Sequence, residues 1–178
     1  IMPSTMALVK TYWDGAARQR AVSMWSIGSW GGSGIAALFG GFVIIHGEPL
    51  GRAAWLGLFH AVTSFNNAGF ALFSDSLMSF VSDPWICLPI NAAVILGGIG
   101  FPVLFELRTV GLTPRAWSIH SKLTIWGSLL LLVGGFVFLT AVEWTNPATL
   151  GGLDSGGRLL AGFTASVQPR TAGFNSVD

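Results

Sequence analysis

Charged residues are scarce in this sequence. They make up 10% of its 178 residues, whereas hydrophobic residues make up 52%. A water-soluble protein of this length needs more polar side chains than that to cover its surface. The composition therefore excludes an ordinary soluble domain and favours a membrane protein.

Cysteine and histidine are rare as well. Cys87 is the single cysteine, which excludes a disulfide bond within the chain. His46, His60 and His120 are far apart in the sequence and show no metal-ligand spacing, so no side-chain metal centre is predicted. We also expect no bound cofactor and no nucleic-acid partner.

Long uncharged apolar stretches are what the sequence has in abundance. Three of them, at 21–45, 84–105 and 123–142, contain no Asp, Glu, Lys or Arg. A helix needs about 20 such residues to span the hydrocarbon core of a bilayer. The sequence therefore predicts an all-α membrane protein with transmembrane helices over 21–45, 84–107 and 123–142.

The basic residues predict the orientation of these helices. They concentrate in segment 1–20, before the first helix, and in segment 108–122, between the second and third. By the positive-inside rule both segments are cytoplasmic. The chain is therefore predicted to cross a plasma (inner) membrane several times, with its start on the cytoplasmic side. The segments on the opposite side carry acidic residues: Glu48, Asp75, Asp83, Glu143 and Asp154.

A short pattern occurs twice in the chain. Residues 59–70 have the sequence FHAVTSFNNAGF, and residues 163–174 have the related sequence FTASVQPRTAGF. In each copy a short apolar segment, 53–65 or 157–167, precedes an Ala-Gly-Phe turn. A helix over 53–65 would be about 20 Å long, too short for a hydrocarbon core of about 30 Å. Each copy therefore predicts a pore helix, which enters the membrane and returns on the same side.

The return has to be made by non-helical backbone, at 66–70 and at 170–174. Such backbone is tolerated inside a membrane only where it is buried in protein or lines a water-filled cavity. Backbone carbonyls can replace the hydration shell of a potassium ion, so the sequence predicts a selectivity filter. The predicted ion-binding carbonyls are those of Asn66, Asn67, Ala68, Gly69, Thr171, Ala172 and Gly173, and the predicted supporting residues are Phe70, Phe174 and Arg170.

Residues 64–70 and 169–178 resemble the second and third filter segments of the Trk/Ktr/HKT potassium transporters. The resemblance implies four helix, pore-helix, helix repeats in one polypeptide, around a single ion path. It assigns one repeat to 21–107 and an incomplete repeat to 123–178, whose closing helix would follow this chain. It also implies a homodimer and a cytosolic nucleotide-binding regulatory subunit, with potassium as the transported ion and sodium as the second candidate.

Arg170 lies within the second return. An unpaired charge inside a membrane is costly, so we expect this side chain to bind an external carboxylate or carbonyls that support the filter. Asp75 and Asp178 are the candidate carboxylates, and the alternative role is an electrostatic gate. Pro89 and Pro102 predict kinks in the helix over 84–107.

Two other functions stay open at this stage. Gly31-Gly32-Ser33-Gly34 fits the G-x-S-G form found around the nucleophile of intramembrane serine proteases, although no predicted span offers the histidine base that such a serine needs. A non-conducting assembly subunit with a pore-like fold is the other alternative. The favoured function is potassium uptake through a carbonyl filter, which involves no enzymatic reaction.

Overall fold

The computed structural model describes residues 46–170 and 172–176, together with Gly15. Several predictions fall outside these residues. They concern the rest of segment 1–20, the helix over 21–45 with its G-x-S-G sequence, and the residues Thr171 and Asp178.

The described residues form five α-helices and no β-strand, which confirms the predicted all-α fold class. The helices are α1 (Leu50–Phe65), α2 (Pro84–Ile99), α3 (Phe101–Val110), α4 (Ile119–Glu143) and α5 (Ser155–Val167). A short 3-10 helix, Met78–Phe80, lies between α1 and α2.

Helix α4 has the properties of a membrane span. It has 25 residues, and its most apolar 18-residue window has a mean hydropathy of 2.2 and is 6% buried. Large side chains such as Leu130, Leu131 and Phe138 are exposed along it. In the described part of the chain, α4 is the one helix that is long and apolar enough to cross a bilayer by itself.

Helices α2 and α3 occupy the stretch that was predicted as a single helix over 84–107. The structure corrects this prediction, because the chain breaks at Gly100 and the two helices differ in direction by 88°. Gly100 has a φ of 84°, which favours glycine, and Pro102 has no N–H to continue a helical ladder. Pro89 lies inside α2, which continues beyond it. Together α2 and α3 are long and apolar enough to form one broken span.

The helices pack in two pairs that share one core. Helix α1 packs against α2, α5 packs against α4, and α2 also contacts α5. The buried core contains Ala53, Leu56, Leu77, Ile86, Ile90, Val94, Val167, Ala172 and Phe174. Ala172 and Phe174 belong to the predicted filter, so that segment is part of the packing between helices.

The connection between α3 and α4 is held by side chains. The carboxylate of Glu106 on α3 accepts hydrogen bonds from the hydroxyls of Ser118 and Ser121, at the start of α4. The indole N–H of Trp117 donates to the carbonyl of Gly111 at 2.9 Å. These contacts fix the beginning of α4 relative to the end of α3.

The loop between α4 and α5 is likewise tied to its neighbours. Arg158 donates to the carbonyls of Leu153 and Gly151 at 2.9 Å each, and its guanidinium lies 5.2 Å from the ring centre of Trp144. Asp154 caps α5 by accepting hydrogen bonds from the amides that begin the helix. The short helix α5 therefore begins at a defined place.

Gly97 allows α2 to approach the end of α1. A Cβ atom at this position would lie 2.8 Å from the carbonyl carbon of Phe65 and closer still to its oxygen. Both atoms belong to the backbone, which cannot rotate away as a side chain would. A glycine is therefore required where the two helices meet.

We predict that Gly97→Ala destabilises the protein by ~1–3 kcal/mol, because the methyl group overpacks the contact with Phe65. The measurement is the midpoint of thermal unfolding in detergent. Gly134→Ala is the matched control, since a Cβ there meets nothing within 4 Å. Equal midpoints for the two variants would contradict the proposed close approach.

Candidate functional site

Residues 66–70, which we call the first return segment, leave helix α1 through a tight turn. The amide of Asn67 donates to the carbonyl of Ser64 at 3.0 Å, and that of Ala68 donates to the carbonyl of Thr63 at 2.8 Å. Asn67 has a φ of 51° and Gly69 a φ of 71°. Asn and Gly are the residue types that tolerate these left-handed angles most easily.

Residues 170–174, the second return segment, follow helix α5 in a similar way, apart from Thr171, which lies outside the described residues. The amide of Ala172 donates to the carbonyl of Gln168 at 3.2 Å. Gly173 has a φ of 69°, close to the angle of Gly69. The two copies of the sequence pattern thus share a backbone feature at corresponding glycines.

The structure brings the two return segments into direct contact. A Cβ atom on Gly69 would lie 2.5 Å from the carbonyl carbon of Ala172 and 2.6 Å from the Cα of Gly173. A Cβ atom on Gly173 would lie 3.4 Å from the Cα of Gly69 and 3.8 Å from the carbonyl oxygen of Ala68. Four of the predicted carbonyl ligands, those of Ala68, Gly69, Ala172 and Gly173, therefore come from adjacent backbone.

In each copy one residue near the end of the short helix accepts two hydrogen bonds from the return segment. Thr63 accepts from Ala68 with its carbonyl and from the amide of Phe70 with its hydroxyl, at 2.9 Å. Gln168 accepts from Ala172 with its carbonyl and from the amide of Phe174 with its side-chain oxygen, at 3.0 Å. The backbone of each return segment is thereby fixed to the helix before it.

Sequence reasoning missed Thr63 and Gln168. They do not occupy the same position of the repeated pattern, since the residue that corresponds to Thr63 is Val167. The available signal was a polar side chain within an apolar segment, directly before the turn. Such a side chain usually has a partner when it is buried.

His60 is a third residue whose structural role sequence reasoning did not predict. It is fully buried, and its Nδ1 donates to the carbonyl of Leu56 at 2.8 Å, which leaves Nε2 to accept a long hydrogen bond of 3.5 Å from the amide of Leu72. Its ring stacks on Phe73 and Phe174, with centroids 5.3 Å and 6.3 Å away. His60 thus joins α1 to the chain beyond the first return segment and to the second one.

The supporting residues of the two copies differ in their surroundings. Phe70 is 70% exposed, whereas Phe174 is 3% exposed and belongs to the core. Arg170 donates to the hydroxyl of Ser128 at 3.2 Å and to its carbonyl at 2.7 Å, so this side chain extends toward α4. Phe174 and Arg170 therefore contact the surrounding protein.

The chain beyond each return segment is tied to the other copy. The amide of Leu77 donates to the carbonyl of Asn175 at 2.8 Å, and the amide of Asn175 donates to the hydroxyl of Ser76 at 3.0 Å. Next to this contact, Ser79 donates to the exposed carboxylate of Asp75, which lowers the pKa of that carboxyl. Asp75 thus stays ionised to a lower pH than an ordinary aspartate.

A cavity of about 540 Å³ adjoins the first return segment. It lies between the end of α1, the second half of α2 and the start of α3. Its lining includes Asn66, Asn67 and Ala68 together with apolar side chains such as Phe59, Phe101 and Leu104. The bend at Gly100 therefore borders the same space as the return segment.

Comparison with known proteins identifies the family. Residues 33–178 match the family described as TrkH, a cation transport protein. The chain belongs to this family of membrane transport proteins. Membership in a transport family agrees with the predicted absence of an enzymatic reaction and argues against the protease interpretation of Gly31–Gly34.

Curated relatives agree with this assignment. The chain is 42% identical over 150 residues to Ktr system potassium uptake protein B of Vibrio alginolyticus and 46% identical over 121 residues to that of Bacillus subtilis, which covers 78% and 68% of this chain. It is 37% identical over 127 residues, 71% of this chain, to potassium/sodium uptake protein NtpJ of Enterococcus hirae. The matches cover 32%, 27% and 28% of those proteins, so the chain spans about a third of their length.

A shorter match concerns a quinolone resistance protein. Over 43 residues the chain is 60% identical to quinolone resistance protein NorB of Staphylococcus aureus. This match covers 24% of the chain and 9% of NorB. It is too short to assign the chain as a whole, which the TrkH match covers from residue 33 onward.

We predict that Thr63→Val lowers the stability of the protein by ~1–3 kcal/mol, because the amide of Phe70 loses its acceptor while the side-chain shape is kept. Thermal unfolding in detergent measures the effect. Thr109→Val is the matched control, since the exposed Thr109 hydroxyl donates only to carbonyls of its own helix. A Thr63→Val protein as stable as the control would show that this hydrogen bond does not hold the first return segment.

Proposed function

We propose that this chain forms part of the pore of a potassium uptake protein, and that its two return segments are filter segments. The observation that carries the proposal is the contact of Gly69 with Ala172 and Gly173, made by two segments that each follow a short helix. Two unrelated surface turns would not be expected to approach so closely. Nor would they be expected to have glycines with the same backbone conformation at the contact.

The proposed ligands of the ion are the backbone carbonyls of Asn66, Asn67, Ala68, Gly69, Thr171, Ala172 and Gly173. Carbonyl dipoles can replace the hydration shell of potassium without a fixed charge that would trap it. Hydrogen bonds to Thr63 and Gln168 occupy amides of both return segments and leave their carbonyls to the ion. The membrane potential then drives inward movement with about 2.3 kcal/mol per charge per 100 mV.

The proposed arrangement places the protein in the plasma membrane with several crossings. Segments 1–20 and 108–122 are cytoplasmic, and both return segments enter from the outside. The exposed apolar surface of α4 and the broken span formed by α2 and α3 support this arrangement. The pore repeats would cover 21–107 and 123–178.

The complete transporter would contain further repeats in the same polypeptide, because two return segments cannot surround an ion and the curated relatives are about three times as long. We propose potassium as the main ion and sodium as the second, since the NtpJ relative is named for both. The Ktr relatives are named as parts of a system, which supports further subunits beside this chain. We propose that these are a second copy in a homodimer and a cytosolic nucleotide-binding regulatory subunit.

We predict that Gly69→Ser in the complete polypeptide lowers the ratio of potassium to sodium permeability by about tenfold, or ~1.4 kcal/mol. The added side chain would displace the backbone of Ala172. The measurement is ion uptake by cells that lack their own potassium uptake systems. Gly111→Ser is the control, because Gly111 also has a positive φ, 74°, but a Cβ there meets nothing within 4 Å.

An unchanged permeability ratio in Gly69→Ser would show that Gly69 does not line the ion path. Failure of the unaltered polypeptide to support potassium uptake would favour the alternative of a non-conducting assembly subunit.

Arg170→Ala tests the proposed supporting role of Arg170. We expect a loss of ~2–3 kcal/mol in stability and a lower yield of folded protein, because two charged hydrogen bonds to Ser128 disappear. Size-exclusion chromatography in detergent measures the yield, with the exposed Arg115→Ala as control. A well-folded Arg170→Ala protein with altered conductance would instead indicate an electrostatic gate.

A further inference from the structure

The side chain of Asn67 contacts α2, whereas the proposed function uses only its backbone carbonyl. Assigned by its partners, the side-chain nitrogen donates to the carbonyl of Val94 and the side-chain oxygen accepts from the amide of Gly98, at 3.2 Å each. Both partners are backbone groups of another helix. This amide therefore joins the first return segment directly to the backbone of α2.

The site of this contact is shaped by two glycines. Gly97 provides space for the carbonyl of Phe65. At Gly98, the side-chain amide of Asn67 lies within 4 Å of the position that a Cβ atom would occupy. The end of α1 and the first return segment thus lie against one turn of α2. Larger side chains at 97 would separate the two backbones.

Val94 and Gly98 are four residues apart, so they are the two ends of one step in the hydrogen-bond ladder of an α-helix. The Asn67 amide binds both ends of this step. Helix α2 ends directly afterwards, at Gly100, where α3 turns away by 88°. A side chain that bonds to the ladder is a recognised cause of a sharp helix bend.

We propose that the Asn67 side chain is a positioning residue that couples the first filter segment to the bend between α2 and α3. The proposal rests on the proposed function of the return segments. The amide holds Asn67 in its left-handed conformation and fixes the last turn of α2 at the same time. A change in the direction of α3, which leads toward segment 108–122, is thereby transmitted to the carbonyls of the filter.

Asn146, in the loop between α4 and α5, provides a matched control outside both return segments. Its side-chain nitrogen donates to the carboxylate of Glu143 at 2.6 Å, and its side-chain oxygen accepts from the amide of Ala148 at 3.1 Å. It carries the same amide group as Asn67, yet its hydrogen bonds do not connect two helices.

The test compares Asn67→Gly with Asn146→Ala in the complete polypeptide. Glycine keeps the left-handed backbone accessible and removes only the amide. We expect Asn67→Gly to lower the ratio of potassium to sodium permeability by about tenfold, a fold-change worth ~1.4 kcal/mol, and Asn146→Ala to leave it within about twofold. Equal ratios for the two variants would overturn the proposal.

A distance measurement separates this inference from the proposed function. Spin labels at the exposed Leu88 on α2 and Thr109 on α3 report the bend without any ion flux. We expect a shifted or broadened distance distribution in Asn67→Gly and an unaltered one in Asn146→Ala. An unchanged distribution in Asn67→Gly would refute the coupling, whether or not the protein transports potassium.

A substitution at the bend tests the same coupling, and it can be used if Asn67→Gly does not fold. Coupling is reciprocal, so Gly100→Ala, which strains the bend at a φ of 84°, should also lower the permeability ratio although it lies outside the filter. Combining it with Asn67→Asp, which cannot donate to Val94, should give less than the sum of the two effects. A normal ratio in Gly100→Ala would overturn the proposal.

Discussion

A backbone that reverses direction within packed protein needs hydrogen-bond partners for its amides, because an unpaired buried amide is costly. In this protein the partners come from the short helix that precedes each reversal. Thr63 and Gln168 each accept two such bonds, one with the carbonyl and one with the side chain. This constraint explains why polar residues occur at the ends of otherwise apolar helices, and why the return segments have a defined shape.

Close contact between backbones is the second condition for a defined arrangement of the return segments. Gly97 brings α2 against the end of α1, and Gly69 brings the first return segment against Ala172 and Gly173. Through these contacts the first copy of the repeated pattern meets the second, and His60 and Phe174 fill the space between them. The candidate site is thus a product of packing between helices as much as of its own residues, and the Asn67 amide extends that packing to the bend at Gly100.

Much of this architecture could be predicted from the sequence. The composition indicates a membrane protein, and the repeated pattern predicts two short helices followed by turns, where the structure has α1 and α5 and positive φ angles at Gly69 and Gly173. The bend at Gly100 was not predicted as a break, because an apolar stretch with a glycine and a proline is compatible with a kinked helix as well as with two helices. The roles of His60, Thr63 and Gln168 were missed, since their partners are set by the turn and not by the repeated pattern.

By itself the sequence determined the helical fold class, the family and the positions of both turns, because hydrophobic length, glycine placement and internal repetition are local properties of the chain. Only the tertiary structure decided that Gly69 touches Ala172, that Arg170 extends toward Ser128 and that the Asn67 amide bonds to α2. These contacts join residues that are tens of residues apart in the chain. They depend on how the helices pack, and no local pattern records a distance between two helices.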